Sequence, residues 1–385
     1  MQLETYRYLS EKGWNSPLDR SLDSENSLVV LFGDSNIDES HPGFKELLNA
    51  FPLSGIVGCS TAGEIYEDEL LTDSLVAAVM KFDCSATRIA SCSIEPAAGD
   101  FSVGEKLMEK LCREECPRAV LVFSDGLNVN GSELTRGINS KIGQMQDRDI
   151  VVTGALAGDE DRFVSTWVVV DRRLKQNHVT AVGLYGDGLQ IGCGSQGGWD
   201  RFGIDRKVTR AKGNILYTLD DKPALELYKR YLGEYAQDLP ASGLLFPLLL
   251  KDGESEPKVR TILAVNEAEN SITFAGDIEE GSSASFMKAN FDNLISGAEQ
   301  AAMQIAQNGY EGEDALLIAV SCVGRRLVLG QRSEDELEVV RDIFAPAVKM
   351  VGFYSYGEIS TRSSGRCDLL NQTMTLTWIW EKCTK

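Results

Sequence analysis

The sequence predicts an α/β fold in which duplicated strand–helix–strand units form mixed sheets. Two observations carry that expectation. Short, continuous, β-branched apolar runs recur along the chain, which suits strands buried on both faces. The runs also repeat one another. Residues 28–36 (LVVLFGDSN) and 119–128 (AVLVFSDGLN) each end in Phe and reach an Asp two positions later, Phe32 and Asp34 in one case, Phe123 and Asp125 in the other. A second apolar-to-glycine segment follows each, 55–63 (GIVGCSTAG) and 150–158 (IVVTGALAG). A third copy comes late, 315–322 (ALLIAVSC) followed by 348–359 (VKMVGFYSYGEI), and Ala62-Gly63-Glu64-Ile65 matches Tyr356-Gly357-Glu358-Ile359.

Helical patterns fill the connections. Ser333 and Glu336 read as a capping box ahead of Leu337, Val340 and Phe344, and Ser102 with Glu105 ahead of Leu107, Met108 and Leu111. Pro223 opens a helix after Asp220 and Asp221, with Leu225, Tyr228 and Leu232 at helical spacing. Phe291, Leu294, Ile295, Ala298, Ala302 and Ile305 form one apolar stripe that Asn308-Gly309 should end. Further strands are expected at 164–170, 179–185, 259–265, 271–275 and 376–380, with 251–258 (KDGESEPK) as a hairpin tip.

Composition narrows the function. The chain has 385 residues, 43% hydrophobic and 25% charged, which is globular usage, and its formal net charge is −20. So acidic a chain repels phosphate backbones and anionic lipid, so neither a nucleic-acid nor a membrane partner is expected. Only His41 and His178 are present, too few for a three-His zinc site. The nine cysteines are odd in number and scattered, so the expectation is a reduced, cytoplasmic protein with cysteines in packing roles. Residues 1–14 carry charges throughout and show no secretory h-region, and the most apolar run, 241–250, is too short to span a bilayer.

Several motifs imitate chemistry. Gly192–Gly197 (GCGSQG) fits a dinucleotide fingerprint, but the following Gly-Trp-Asp-Arg-Phe-Gly propagates a helix poorly, so a glycine-rich strand exit is expected. Ser60 in GCSTA resembles a nucleophile elbow, yet only His178 follows it as a base; hydrolysis by Ser60 or Cys59 is therefore the lesser alternative. Cys112 and Cys116 have the spacing of two metal ligands on one helix face, with no partner pair. His41, before Pro42 at a helix start, is expected to stay neutral.

Glu64 and Glu358 each follow a glycine at the end of a buried strand, where ligand-binding groups concentrate. The expected binding set is Cys59, Ser60, Thr61 and Glu64 from the first copy, Asp159 from the second, and Tyr354, Ser355, Tyr356 and Glu358 from the third. Carboxylates would hold an amine or hydroxyl, and tyrosines would cover an apolar part. That set requires the three turns, 58–65, 154–159 and 352–359, to share a cavity.

The strings GCSTAGEI (58–65), GALAGD (154–159), GFYSYGEI (352–359) and NQTMT (371–375), with the junction at 208–228, resemble the FIST family, sensory proteins with an N-terminal and a C-terminal FIST domain. The resemblance implies an N-terminal extension at 1–24 and FIST domains at 25–219 and 220–385. It implies a non-enzymatic, small-ligand-binding signal-transduction protein. Its partner would be a separate histidine kinase, diguanylate cyclase or phosphodiesterase, or chemotaxis receptor. Some two-domain members are haem proteins that sense nitric oxide. The family commonly carries His before NQTMT, where this chain has Leu370, so a haem would need His178 or His41, or a Cys59, Cys322 or Tyr356 ligand.

Overall fold

The computed structural model describes residues 1–95, 99–145, 150–253, 256–306 and 314–383. Each sequence repeat becomes one sheet, and the three sheets share one strand order. At the heart of each lies a parallel pair joined through a helix: Ser27–Asp34 with Gly55–Thr61, Ala119–Ser124 with Val151–Leu156, and Ala315–Cys322 with Val348–Ser355. An antiparallel return strand flanks the first member of each pair: Ser74–Lys81, His178–Tyr185 and Met374–Glu381. Outside these lie Gln2–Leu9, Ala86–Ser93 and Leu189–Gln196. The first of them belongs to the segment expected as an extension; it is an integral strand because Leu3 and Tyr6 bury against the first unit.

The far position in each sheet is filled by a hairpin lent from another unit. The hairpin 64–71 leaves the first unit and pairs with Val348–Ser355 of the third. Gly357–Leu370 leaves the third and pairs with Val151–Leu156 of the second, and Val168–Lys175 leaves the second to meet Cys59 of the first. The exchange is cyclic and gives the molecule a pseudo-threefold plan. One glycine per unit marks the equivalence. A Cβ at Gly58, Gly154 or Gly352 would lie 1.8, 1.9 or 1.8 Å from the carbonyl oxygen of Leu31, Val122 or Ala319.

The three sheets bury their inner faces against one another. Phe32, Phe123 and Phe353 meet at centroid distances of 4.5–6.5 Å, and Cys59, Ala155 and Val320 fill the complementary positions. Helices cover the outer faces. Asp100–Leu111 crosses Gly131–Ile142 where Gly104 and Gly137 remove side chains from the contact. The third unit is interrupted between Leu189–Gln196 and Phe291–Ala306 by an inserted sheet, strands 200–288, which closes over the helix Ala224–Leu232.

Most helices lie where the periodicity places them, but two expected caps do not form. Asp100–Leu111 is capped by Gly99 and Ser333–Ile343 by Arg332, neither through a side chain. Glu336 turns inward to a buried arginine instead, because an unpaired guanidinium there costs more than an open cap. Cys112 follows its helix and Cys116 lies beyond it, so the two do not share a helix face. The strand expected at 164–170 shrinks to Val168–Val170, with Val164 exposed, and 259–265 breaks at Thr261 into Lys258–Arg260 and Ile262–Asn266. The strands Leu248–Lys251 and Lys258–Arg260 on either side of the expected tip pair antiparallel, while residues 254–255 of the tip and the stop at Asn308-Gly309 lie outside the described residues. Two cysteines depart from the reduced expectation: Cys84 and Cys383 form a disulfide across a separation of 299 residues.

Candidate ligand-binding site

The hairpin exchange brings the three expected turns together. Ala62 N donates to Tyr354 O at 2.7 Å and Tyr354 N to Gly63 O at 2.8 Å, while Gly158 N donates to Ser60 O at 3.0 Å. Tyr356 OH donates to Asp159. Each polar group named at this junction is already occupied. Glu64, fully buried, accepts from Thr61 Oγ1 and from Ser74 Oγ at 2.6 Å. Glu358, equally buried, accepts from Ser355 Oγ at 2.9 Å and from Thr373 N and Oγ1 at 3.2 and 2.9 Å. Burial pushes both carboxyls up to about 7 against these donors. Asp159 accepts the backbone N–H groups of Phe163, Val164 and Ser165 at 2.7–2.8 Å.

The remaining expected residues are packed likewise. Ser60 Oγ accepts Trp167 N at 3.0 Å inside a regular strand, so it is not raised on an elbow. Cys59 is fully buried and burial drives its thiol well up. Tyr354 OH donates to Glu336 at 2.9 Å, and Phe163 stacks on Tyr356 with centroids 4.5 Å apart. Gly192 and Gly194 lie in a strand, where Gly194 lets Ala301 of a helix approach closely, so GCGSQG serves packing.

A hollow of about 280 Å³ lies beside this junction, at the seam between the third sheet and the insert. Its walls include Trp199, Met287, Leu370, Asn371, Thr373 and Arg362. Asn371 is 1% exposed, and its Oδ1 has no hydrogen-bond partner among the described residues. Arg362 Nε is also buried and unpartnered among them. Next to Asn371, Gln372 has no exposure and leaves both side-chain polar atoms unpartnered among the described residues. Buried polar atoms are normally satisfied, and each exception costs roughly 1–3 kcal/mol. Two of these exceptions, Asn371 and Arg362, belong to residues of a concave wall, a place where a guest or an ordered water completes the hydrogen bonding.

Behind the hollow stands an ion pair that the sequence reading missed. Arg325 and Glu336 are both fully buried and 2.6 Å apart. Arg325 also donates to Leu294 O at 2.8 Å and to Gly197 O, so it fixes one wall of the hollow. Glu336 further accepts from Ser321 Oγ and Tyr354 OH, both at 2.9 Å. The available signal was Arg325-Arg326 directly after a buried strand, where a charge needs a partner.

Neither histidine fits a haem. His178 lies at a strand start with Nδ1 2.7 Å from Gln176 O, and His41 caps a helix with its ring against Tyr8. Burial lowers the His41 pKa, in keeping with a neutral ring. Neither lines this hollow or the groove of about 660 Å³ beside Trp14 and Arg20. Cys59 and Cys322 are buried, Tyr356 is engaged with Asp159, and Leu370 supplies the hollow with no ligand atom.

These features define a repeat-built α/β protein with a polar hollow at the seam between its third unit and an insert. Family comparison gives the class a name. The FIST N domain matches residues 27–222 and the FIST C domain residues 224–361, so the chain belongs to the FIST family. FIST domains are sensory, ligand-binding domains of signal-transduction proteins. An uncharacterized protein of Methanocaldococcus jannaschii is 24% identical over 82% of this chain and 66% of its own length, so the chain spans just under two thirds of that relative. Among solved structures, a cyanuric acid hydrolase from A. caulinodans covers 99% of both chains at a TM-score of 0.41 and 7% identity, too distant to transfer any chemistry. No described helix is long and apolar enough to cross a membrane.

Proposed function

We propose that this chain is a non-enzymatic sensor that holds a small polar molecule in the hollow beside Asn371 and reports its presence to a separate signalling protein. The observation that carries this reading is the unpartnered, buried Asn371 Oδ1 on a concave wall. Asn371 would accept from an N–H or O–H of the guest, Arg362 would donate to it, and Trp199, Met287 and Leu370 would cover its apolar part. Thr373 lines the same hollow and donates twice to Glu358, so occupancy would be felt at the junction of the three units. Glu358, Tyr356 and Asp159 then act behind the guest, as the group that changes arrangement. Binding that favours one arrangement changes affinity for a partner by the same coupling energy. A histidine kinase, cyclic-di-GMP enzyme or chemotaxis receptor is the kind of partner expected, and the cytoplasm the expected compartment.

Thermal-shift titration tests the reading, using a panel of small amines, carboxylates and heterocyclic bases. A binder should raise the midpoint of the wild type and leave Asn371→Leu unmoved, while the guest-free midpoint of the variant changes little, since the lost 2.9 Å bond from Nδ2 to Leu370 O is offset by removal of the unsatisfied Oδ1. Equal stabilisation of both proteins would place the ligand elsewhere, and a panel without a binder would exclude those chemical classes.

A further inference from the structure

The disulfide occupies a distinctive place. Cys84 lies between Ser74–Lys81 of the first sheet and Ala86–Ser93 of the second, and Cys383 follows Met374–Glu381 of the third. The three units therefore meet here, at the end of the return strands opposite the ligand hollow. Glu381 completes the group. Its carboxylate accepts Asp83 N at 2.7 Å and Cys84 N at 3.0 Å, which fixes its position, and both sulfurs and a carboxylate oxygen lie within 4.8 Å of one another. The Met1 ammonium, 3.3 Å from Glu381 and 2.6 Å from Asp83, would keep Asp83 as its partner when an ion takes Glu381.

We propose that, once the disulfide is reduced, Cys84, Cys383 and Glu381 bind a zinc ion. A dithiol supplies two electrons and two protons, becoming a disulfide itself, and the protein S–S bond opens to two thiols. Zinc then displaces both thiol protons, forming two Zn–S bonds and one Zn–O bond, with water in the fourth position. Thiolates on one tetrahedral zinc lie about 3.8 Å apart, given Zn–S bonds of about 2.3 Å, so a small side-chain adjustment is enough. The Cα separation of 6.0 Å accommodates that spread. Two thiolates with one carboxylate select zinc over magnesium or calcium. Both cysteines are exposed, so reductant and metal can reach them. The ion would replace the covalent tie with a reversible one at the junction of the three units.

The test uses the full-length protein, reduced with dithiothreitol, desalted without air and titrated with Co²⁺ as a spectroscopic substitute for zinc. A single cobalt per chain is expected, with a thiolate-to-cobalt charge-transfer band and tetrahedral d–d bands that added Zn²⁺ removes. The bands should be absent from oxidised wild type and from Cys84→Ser/Cys383→Ser, and Glu381→Gln should weaken binding by about tenfold or more. Cys383→Ala alone, near the end of the described chain, should melt with metal-free reduced wild type and gain nothing from added Zn²⁺, whereas Zn²⁺ should raise the midpoint of reduced wild type; equal gains in both overturn the proposal. A reduced protein without the charge-transfer band, a disulfide that does not open, or a band retained in the cysteine variants overturns the proposal. None of these outcomes bears on the hollow at Asn371.

Discussion

Glu64 and Glu358 occupy one register position in two units of the same plan. Each sits at the start of an exchanged hairpin, opposite the residue that follows a close-approach glycine, Phe353 for Glu64 and Ala155 for Glu358. Each takes a hydroxyl three residues earlier, Thr61 or Ser355, and each carboxyl is pushed by burial to about 7. They differ in the second donor. Ser74, which serves Glu64, is buried at the start of a strand, whereas Thr373, which serves Glu358, lines the hollow. A repeated motif thus determines the depth of a carboxylate, and the neighbouring unit decides whether anything outside can reach it. The second unit sharpens the contrast, because Val168 holds the equivalent register and Asp159 binds a loop instead.

The largest way to break the comparison is to remove the ion pair that stands on the Glu358 side alone. Glu336→Ala leaves Arg325 charged, buried and unpaired, and should cost about 3–5 kcal/mol in urea unfolding. A loss under 1 kcal/mol would show that water or another acidic group reaches Arg325.

The next effect is in pH dependence. In the unfolded chain each glutamate ionises near 4.5, whereas in the folded chain it keeps its proton up to about 7. The stability each contributes is therefore complete below about 4.5 and falls as pH rises towards 7, by roughly 3 kcal/mol per group. Glu64→Gln and Glu358→Gln should each flatten that decline, seen as a smaller difference between the urea midpoints at pH 5 and pH 8. An unchanged slope in either variant would mean that its carboxyl ionises in the folded state as freely as in the unfolded one.

The smallest effect separates the two donors. Thr61→Ala leaves Glu64 with one hydroxyl and also strips the acceptor of Gly63 N, so a loss of about 1–3 kcal/mol is expected. Ser355→Ala leaves Glu358 with both donors of Thr373, and should cost about 1 kcal/mol. The reverse order, measured by thermal unfolding, would place the better-supported carboxylate in the first unit.

The periodicity of the buried runs, the glycine corners and the echo of Ala62–Ile65 in Tyr356–Ile359 were all legible in the chain, because each rests on local geometry and on the spacing of apolar residues. The family strings followed from the same positions. Other features were not legible in this way. The Asn371-Gln372 dipeptide was visible, but nothing local says that its polar atoms lie buried and unpartnered beside a hollow. The apparent capping box at Ser333 misled because Glu336 has a buried partner eleven positions earlier in the chain, and a buried charge outbids a surface cap.

The sequence by itself determined the buried strands at the heart of each repeat and several of the helices between them, that three related units exist, and which family they form, since these depend on neighbours along the chain. The tertiary structure decided the cyclic loan of hairpins, the meeting of Tyr356 with Asp159, of Arg325 with Gly197 and of Cys84 with Cys383, and the position of the hollow. Those pairs lie 128 to 299 residues apart. Burial of the three inner sheet faces around one axis brings Tyr356 to Asp159 and Cys84 to Cys383, whereas Arg325 meets Gly197 across the two ends of the third unit that the insert separates, and no local pattern encodes either closure.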